Sequence, residues 1–503
     1  MPLVNRSTPL TLLCLGTLAL GAPLVARAAP TQPAAKAAAP APKAEAVSDV
    51  LKVPRPKGGE FFGLYLMDKK VGWLFTDISA QPGGKVKSVN ELVFKAQVGT
   101  RVSERVHREE RVYEAKPGGR LVSFTTTQRG DGGDQVLQGT VTADGMRVVR
   151  KRPGLPDELL KALPAPKETV EDADQARVAL LRGAKVEGLA LDGTDLESYR
   201  TVTTVEPATE QVLGGVKVKL SKVSTLSDKE KVPVVEFISP EGKLVRVDFG
   251  QTMQARAEPE AVAKRLDLVE VFGLTRIVLP RELPPEASIV PGKATLVMKG
   301  LPEKFQVDTY RQKYKRLPDG QVEVTLLATQ PANQTRKPRP LADPEGGANL
   351  KSTLAVESEA PAIRAQAQEL VGTEKDAYTA ARLINTWVYK TLRKDYGASA
   401  DRATDVLRQK KGDCTEHSLL AVALMRAAGI PARRVDGVIY MVNADGVPAL
   451  YWHEWVEAYV GEWTQLDPTF NQSVAEATHF AVGQEGNAEI TPLIGALQVT
   501  AVK

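Results

Sequence analysis

The stretch GDCTEHSLLAVALMRAAGIP, residues 412–431, contains one of only two cysteines in this 503-residue chain. Asp413 is a favourable helix N-cap, and Glu416 three residues later completes the pattern of a capping box. An apolar run at helical spacing follows, and Gly429 fits the residue after a helix end. The pattern therefore predicts a helix that begins at Cys414.

The predicted position of Cys414 suits a nucleophile. Unpaired backbone N–H groups and the positive end of the helix dipole lie at a helix N-terminus, where they favour a thiolate over a thiol. The same N–H groups can hold an oxyanion. Asp413 opposes this effect with its negative charge, but its carboxylate is expected to bind the backbone of the first turn. We therefore expect Cys414 to be a thiolate at neutral pH; a buried structural cysteine is the alternative.

A thiolate nucleophile needs a base, and the base needs a group that orients it. Of the four histidines, His453 lies within the strand pattern of residues 449–460, and Asp467 lies in the next strand pattern. A carboxylate beside the imidazole would fix its tautomer and stabilise its protonated form. Two other histidines have weaker claims: we expect His107 to be an exposed strand residue and His479 to be a weak backup base.

The connection between these two strands decides whether His453 and Asp467 meet. With a two-residue turn at residues 461–462, Asp467 would lie on the opposite face of the sheet from His453. A loop with an odd number of residues, or a bulge at Gly461, restores the match. The sequence therefore predicts an irregular hairpin near Gly461.

The strings GDCTEHSLLAVALMRAAGIPAR and HEWVEAYVGEWTQLDPT resemble the transglutaminase-like superfamily of bacterial proteins, over roughly residues 350–475. The resemblance implies a papain-like α+β core with Cys414 as nucleophile, His453 as general base and acid, and Asp467 as the orienting acid. It also implies reaction at an amide bond of a protein or peptide through a thioester, by hydrolysis or acyl transfer, without a cofactor. Glu454 stands where a small or apolar residue is more usual, and it should point away from His453 with little effect.

Two other interpretations of the same residues stay open. Cys414 and His417 have the spacing of two metal ligands on one helix face, and with His453 and Asp467 they could bind zinc. The simpler interpretation of His417 is a packing or hydrogen-bonding residue. Alternatively, the protein is a non-catalytic binding or scaffolding protein of the cell envelope, in which the core serves structure only.

The first 28 residues predict export. Arg6 precedes an apolar run at residues 12–25, and Ala26-Arg27-Ala28 is a small-x-small cleavage pattern, as in a secretory signal peptide. No later segment is long and apolar enough to be a membrane helix. We therefore expect an exported protein, periplasmic or extracellular, whose mature form holds a single cysteine and no intramolecular disulfide.

The rest of the chain divides by composition and pattern. The expected regions are a signal peptide at 1–28, an Ala/Pro-rich linker at 29–52, β-rich domains at 53–275, a β-rich connecting region and loop at 276–349, and a transglutaminase-like domain at 350–503. The predicted fold class is multidomain, an N-terminal antiparallel β-rich region followed by a C-terminal α+β papain/transglutaminase-like domain. The loop at 333–349 lacks an apolar run and is expected to be protease-sensitive.

The charge of the chain is small and evenly spread. The formal net charge is +5, and Lys and Arg are interspersed with Asp and Glu. No basic stripe of the kind that binds nucleic acid is present in the sequence, so nucleic acid is not an expected partner. A protein or peptide substrate of the cell envelope is the expected partner instead.

Overall fold

The computed structural model describes residues 47–503 except 99–100, 131–133, 161, 214, 230–231, 396–399 and 485–490. The predicted signal peptide at 1–28 and the greater part of the predicted linker at 29–52 lie outside the described residues. The last linker residues form a short helix, α1 (Asp49–Lys52), and its Val50 is fully buried. No helix within the described ranges is both long and apolar enough to cross a membrane.

A large antiparallel sheet occupies the N-terminal half. Its strands within the described residues are β1 (Glu60–Leu66), β2 (Lys69–Gln81), β3 (Lys85–Val98), β4 (Arg101–Glu114), β5 (Leu121–Arg129), β6 (Gln135–Thr142), β7 (Gly145–Lys151), β8 (Glu158–Leu159), β9 (Val186–Leu191), β10 (Ser198–Leu213), β11 (Val216–Ser227), β12 (Val234–Ile238), β13 (Leu244–Phe249) and β14 (Met253–Ala257). Neighbours along the chain pair with one another in two runs, β1–β8 and β9–β14. The runs join where β1 pairs with β14, with Leu64 opposite Ala255.

The link from β8 to β9 carries the helical segment that the pattern predicts near residues 170–182. It contains a 3-10 helix (Val170–Asp174) and α2 (Gln175–Arg182). Val170, Ala176 and Val178 are fully buried, so this polar-looking segment packs into the apolar cores beside the sheet.

The remaining elements form a region of helices and strands. They are α3 (Glu260–Ala263), α4 (Val271–Thr275), β15 (Ile277–Val278), β16 (Gly292–Lys299), β17 (Gln312–Arg316), β18 (Val322–Ala328), α5 (Pro361–Val371), α6 (Ala377–Thr391), β19 (Arg393–Lys394), α7 (Ala403–Gln409), β20 (Lys411–Gly412), α8 (Cys414–Ala427), β21 (Ala432–Val442), β22 (Pro448–Tyr459), β23 (Trp463–Leu466), β24 (His479–Gln484) and β25 (Gln498–Val502). An antiparallel β region followed by a helix-plus-strand region confirms the predicted fold class.

Strands that are distant in sequence pair within this second region. One sheet has the order β15-β22-β21-β24, with β23 on β22, and another has the order β17-β18-β16-β25. Strands from residues 276–349 therefore share sheets with strands from residues 350–503. Helix α8 lies between α5, α6 and α7 on one side and β21 and β22 on the other. This packing holds the first residue of α8 against the middle of β22.

The predicted loop at 333–349 is tied to its surroundings. The N–H of Lys337 donates to the carbonyl of Val460, and the N–H of Leu341 donates to that of Gly429. The guanidinium of Arg339 donates to three main-chain carbonyls. These bonds oppose local opening of the backbone at residues 337–341, which cleavage requires, and the protease sensitivity of the whole loop stays a prediction.

Candidate active site

The N-terminus of α8 is built as the sequence predicts. The Asp413 carboxylate accepts a hydrogen bond from the N–H of Thr415 at 2.9 Å, and the Glu416 side chain accepts one from the N–H of Asp413 at 2.9 Å. The capping box is therefore present and Cys414 is the first helical residue. These bonds leave the N–H of Cys414 outside the cap.

The hairpin that follows confirms the predicted odd connection. Tyr459 pairs with Trp463, so three residues, Val460, Gly461 and Glu462, form the loop between β22 and β23. Gly461 has a φ of +116°, and a Cβ at this position would lie 1.8 Å from the carbonyl oxygen of Thr335. Glycine is therefore required here both by backbone conformation and by space.

This hairpin brings His453 and Asp467 into contact. The distance from His453 Nε2 to Asp467 Oδ2 is 2.7 Å, and both side chains are at most 1% exposed. The other Asp467 oxygen accepts bonds from the N–H groups of Thr469 and Phe470, at 2.6 and 3.2 Å. Burial opposes ionisation of Asp467, but the two histidines bound to it outweigh burial and hold its pKa well below the usual range.

His479 is the second histidine bound to Asp467. Its Nε2 lies 3.0 Å from Asp467 Oδ2, and the side chain is fully buried. Burial lowers the pKa of His479 to about 4, so the ring is neutral at neutral pH. From the sequence we expected this residue to be only a weak backup base. Its place depends on the pairing of β24 with β21, which no local pattern predicts.

Cys414 is a buried free thiol. Burial and the charge of Asp413 raise its pKa well above the ordinary value, although the main-chain N–H of Glu454 bonds the sulfur and opposes this. The expected thiolate at neutral pH is therefore wrong for this structure, because the helix-terminus argument left out the cost of desolvation. The charge of Glu454 also raises the pKa of Cys414, but less than burial and Asp413 do.

The zinc interpretation is not supported by the positions of its four residues. His417 is held by its own helix, with Nδ1 2.6 Å from the main-chain oxygen of Asp413, as the simpler interpretation expects. The possible ligand group at this place consists instead of His453, Asp467 and His479, with ligand atoms within 4.8 Å of one another. The distances from the two Nε2 atoms to Asp467 Oδ2, 2.7 and 3.0 Å, are hydrogen-bond distances, so each imidazole donates an N–H to the carboxylate.

His107 lies away from this site. It is on β4 of the large sheet, only 6% exposed, with Nε2 3.3 Å from a carboxylate oxygen of Glu109. The expectation of an exposed strand residue is therefore wrong. Period-2 alternation does not reveal that a polar position faces a buried charged network.

A pocket with a volume of about 290 Å³ opens onto Cys414 and His453. Asp413 and Thr469 also line this part of the pocket. Both side chains line this pocket, and within the described residues no hydrogen bond joins the Cys414 sulfur to the His453 ring. A cysteine on a helix facing a histidine–aspartate pair on adjacent strands defines a papain-like α+β arrangement.

The comparisons with known proteins agree with this class. Residues 364–468 match the model of the transglutaminase-like superfamily, and this part of the chain is a transglutaminase-like domain. An uncharacterized protein of Mycobacterium leprae is 30% identical over 95 residues, which are 18% of this chain and 34% of that protein. The chain thus spans about a third of the length of this curated relative.

Two solved structures are similar to parts of the chain. One is a candidate cysteine protease from Cytophaga hutchinsonii, with 18% identity and a TM-score of 0.29, covering 42% of this chain and 87% of that one. The other is a candidate protease from Parabacteroides distasonis, with 11% identity and a TM-score of 0.19, covering 69% of this chain and 64% of that one.

Proposed function

We propose that this protein is an exported cysteine enzyme that acts on an amide bond of a protein or peptide through a thioester. The observation that carries the proposal is the buried contact of 2.7 Å between His453 Nε2 and Asp467 Oδ2, with His453 and Cys414 in one pocket. Nucleophile, base and orienting carboxylate are the parts that covalent acyl transfer needs.

The hydrogen bond between His453 and Asp467 supports Nδ1 of His453 as the base. Asp467 is ionised, so it accepts the proton on His453 Nε2, and the lone pair of the neutral ring is on Nδ1. Since burial keeps the Cys414 thiol protonated, its proton must leave as the sulfur attacks. Nδ1 takes that proton and later returns it to the leaving amine, while Asp467 stabilises the intermediate imidazolium.

Attack on an amide carbonyl places negative charge on its oxygen. The N–H of Cys414, at the start of α8 and outside the capping bonds, is the donor best placed to stabilise that charge. The dipole of α8 adds to this stabilisation. Water or an amine then attacks the thioester carbonyl and releases the sulfur, which regenerates Cys414.

One observation favours a second candidate, a non-catalytic envelope protein. A neutral buried thiol without a hydrogen bond to His453 is also what a core used only for structure would contain. The two candidates differ in one respect: only the enzyme needs the proton path from Cys414 to His453.

The test uses a tryptic digest of cell-envelope proteins, with methylamine added as an acyl acceptor. Mass spectrometry detects cleaved peptides, glutamine converted to glutamate, or peptides joined to methylamine. The enzyme proposal expects one of these changes with the wild type and none with Cys414→Ser. An unaltered digest, together with tight binding of the folded protein to envelope material, would support the scaffold.

A further inference from the structure

The walls of the pocket beside Cys414 are mainly apolar. Phe272, Met441, Tyr451 and Phe470 line it, each from a different element or turn. Phe470 is 38% exposed, so part of its ring is open to solvent beside the pocket. An apolar wall next to a nucleophile favours a bulky apolar group in the part of the substrate that approaches the sulfur.

Phe272 comes from α4, one of the first elements after the large N-terminal sheet. The end of α4 is fastened to β22: the indole N–H of Trp452 donates to the carbonyl of Thr275 at 3.1 Å. The Arg276 guanidinium lies 3.4 Å from the hydroxyl of Tyr451, another wall residue. The wall that Phe272 provides is therefore held in a fixed place, although it lies outside the matched family region at 364–468.

Among the described residues that line the pocket, Lys394 is the one lysine or arginine. Its Nζ lies 4.7 Å from the centroid of the Phe470 ring. Within the described residues it makes no ion pair. Asp413, the acidic residue of the lining, is buried beside Cys414 and bound to the N–H of Thr415. A negative group of a substrate is therefore expected at the Lys394 and Phe470 side of the pocket.

We propose that the pocket selects acyl donors with an aromatic or large aliphatic side chain next to the reacting carbonyl and a carboxylate close by, which pairs with Lys394. This inference rests on the proposed function and names its substrate class. The volume of about 290 Å³ is at the lower end of ligand pockets, about 300–1,000 Å³, so it suits one or two residues of a peptide.

The test uses vinyl sulfones of three blocked amino acids: N-acetyl-alanine, N-acetyl-phenylalanine and N-succinyl-phenylalanine. The Cys414 sulfur adds to the vinyl carbon that is bonded to the amino-acid Cα, the C=C π bond breaks, and the thiol proton ends on the carbon beside the sulfone. Intact-mass spectrometry measures the second-order rate for each probe. We expect phenylalanine to react about tenfold faster than alanine, and the succinyl probe to react a few-fold faster than the acetyl probe.

Matched variants test whether Lys394 and Phe272 cause these two preferences. Lys394→Met should abolish the succinyl preference, Lys394→Arg should keep it, and added salt should weaken it. Phe272→Ala should reduce the preference for phenylalanine, and Phe272→Leu should retain most of it. Thermal unfolding shows that each variant is folded.

The outcomes separate the inference from the proposed function. Equal rates for the three probes, or a succinyl preference unchanged in Lys394→Met, would overturn the inference, while labelling that depends on His453 would leave the proposed function standing. A wild-type Cys414 that reacts with none of the probes would overturn both.

Discussion

At the scale of single residues, the charge state of Cys414 is set by a competition that the sequence shows only in part. The helix N-terminus favours a thiolate, but burial, Asp413 and Glu454 raise the pKa of Cys414. The motif therefore predicts where the cysteine lies, while its burial depends on the packing of α8 against β22. The proposed attack on a substrate therefore requires base assistance by His453 in place of a preformed thiolate.

The contribution of Asp413 can be measured directly. Asparagine is an equally good N-cap, so Asp413→Asn removes the charge and keeps the helix start. We expect the pKa of Cys414 to fall and alkylation by iodoacetamide at pH 7 to become several-fold faster. Glu416→Gln is the matched control, because it changes the other buried carboxyl of the cap, keeps a side-chain oxygen for the N–H of Asp413, and alters a group that is not among the main causes of the raised Cys414 pKa. An equal effect of both variants would rule out the charge of Asp413 as the cause.

His479 is expected to act as a positioning residue for Asp467. His479→Leu removes one of the two N–H donors to Asp467 Oδ2, so the pKa of Asp467 should rise. A depressed carboxylate pKa stabilises the fold above the unfolded-state pKa of about 3.9, and this stabilisation is lost as pH falls through the folded-state pKa. His479→Leu should thus lose about 1–3 kcal/mol of stability at pH 7.

The pH profile of Cys414 acylation gives the second readout for His479. We expect His479→Leu to react about 10- to 100-fold more slowly, because Asp467, the partner of His453, loses one of the hydrogen bonds that hold it in place. His479→Gln keeps a side-chain N–H donor and should recover much of both the rate and the stability. If the glutamine and leucine variants behave alike, His479 only fills space.

At the scale of elements, the sequence predicted the helix start at Cys414 and the odd hairpin near Gly461, because both depend on local rules of capping and side-chain alternation. It did not predict that β24 carries His479 to Asp467, since β21 and β24 pair across two intervening strands of sequence. It also missed the anchoring of residues 333–349, whose bonds are made by main-chain groups and by the Arg339 guanidinium and are not revealed by composition.

Gly461 lies in the odd hairpin and against Thr335 of the 333–349 loop, so a single added methyl group should destabilise this place. Gly461→Ala places a Cβ at a φ of +116° and against the carbonyl of Thr335. We expect a loss of more than about 2 kcal/mol in the free energy of unfolding. Gly446→Ala is the control: Gly446 has a φ of +71° with open space around the Cβ position, and its cost should stay near 1–2 kcal/mol. Equal losses would show that the Thr335 contact is unimportant.

At the scale of the whole molecule, alternation and turn residues predict the antiparallel strands but not their order. The β1–β14 pair joins segments almost two hundred residues apart, and β25 at the chain end pairs with β16. Such pairings depend on which faces remain to be covered after local structure forms, and a single sequence does not encode them visibly. The same limit hides the buried charges of the large sheet.

Glu236 on β12 is one of these buried ionisable groups, and its burial leads to a prediction of how stability varies with pH. Burial raises its pKa to about 8, and within the described residues its Oε2 has no hydrogen-bond partner. A raised carboxyl pKa leaves full stability below the unfolded value and removes it as pH rises towards the folded value. The wild type should lose on the order of 3 kcal/mol between pH 4.5 and 7 through this group.

Glu236→Gln should remove that loss, so the variant should be more stable than the wild type at pH 8 and similar at pH 4.5. Glu241→Gln is the control, because Glu241 is exposed on a nearby turn. Urea unfolding across this pH range measures the difference. A variant that is no more stable at pH 8 would show that Glu236 is solvated or paired.

The measurement that tests the central claim most directly is acetylation of Cys414 by p-nitrophenyl acetate. The sulfur takes the acetyl group as a thioester, p-nitrophenolate leaves, and peptide mapping locates the adduct. We expect rapid acetylation of Cys414 in the wild type and a rate about 10²- to 10⁴-fold lower in a folded His453→Gln variant. A wild-type Cys414 that stays unacetylated, or equal rates in the two proteins, would contradict the claim that His453 activates Cys414 as a nucleophile.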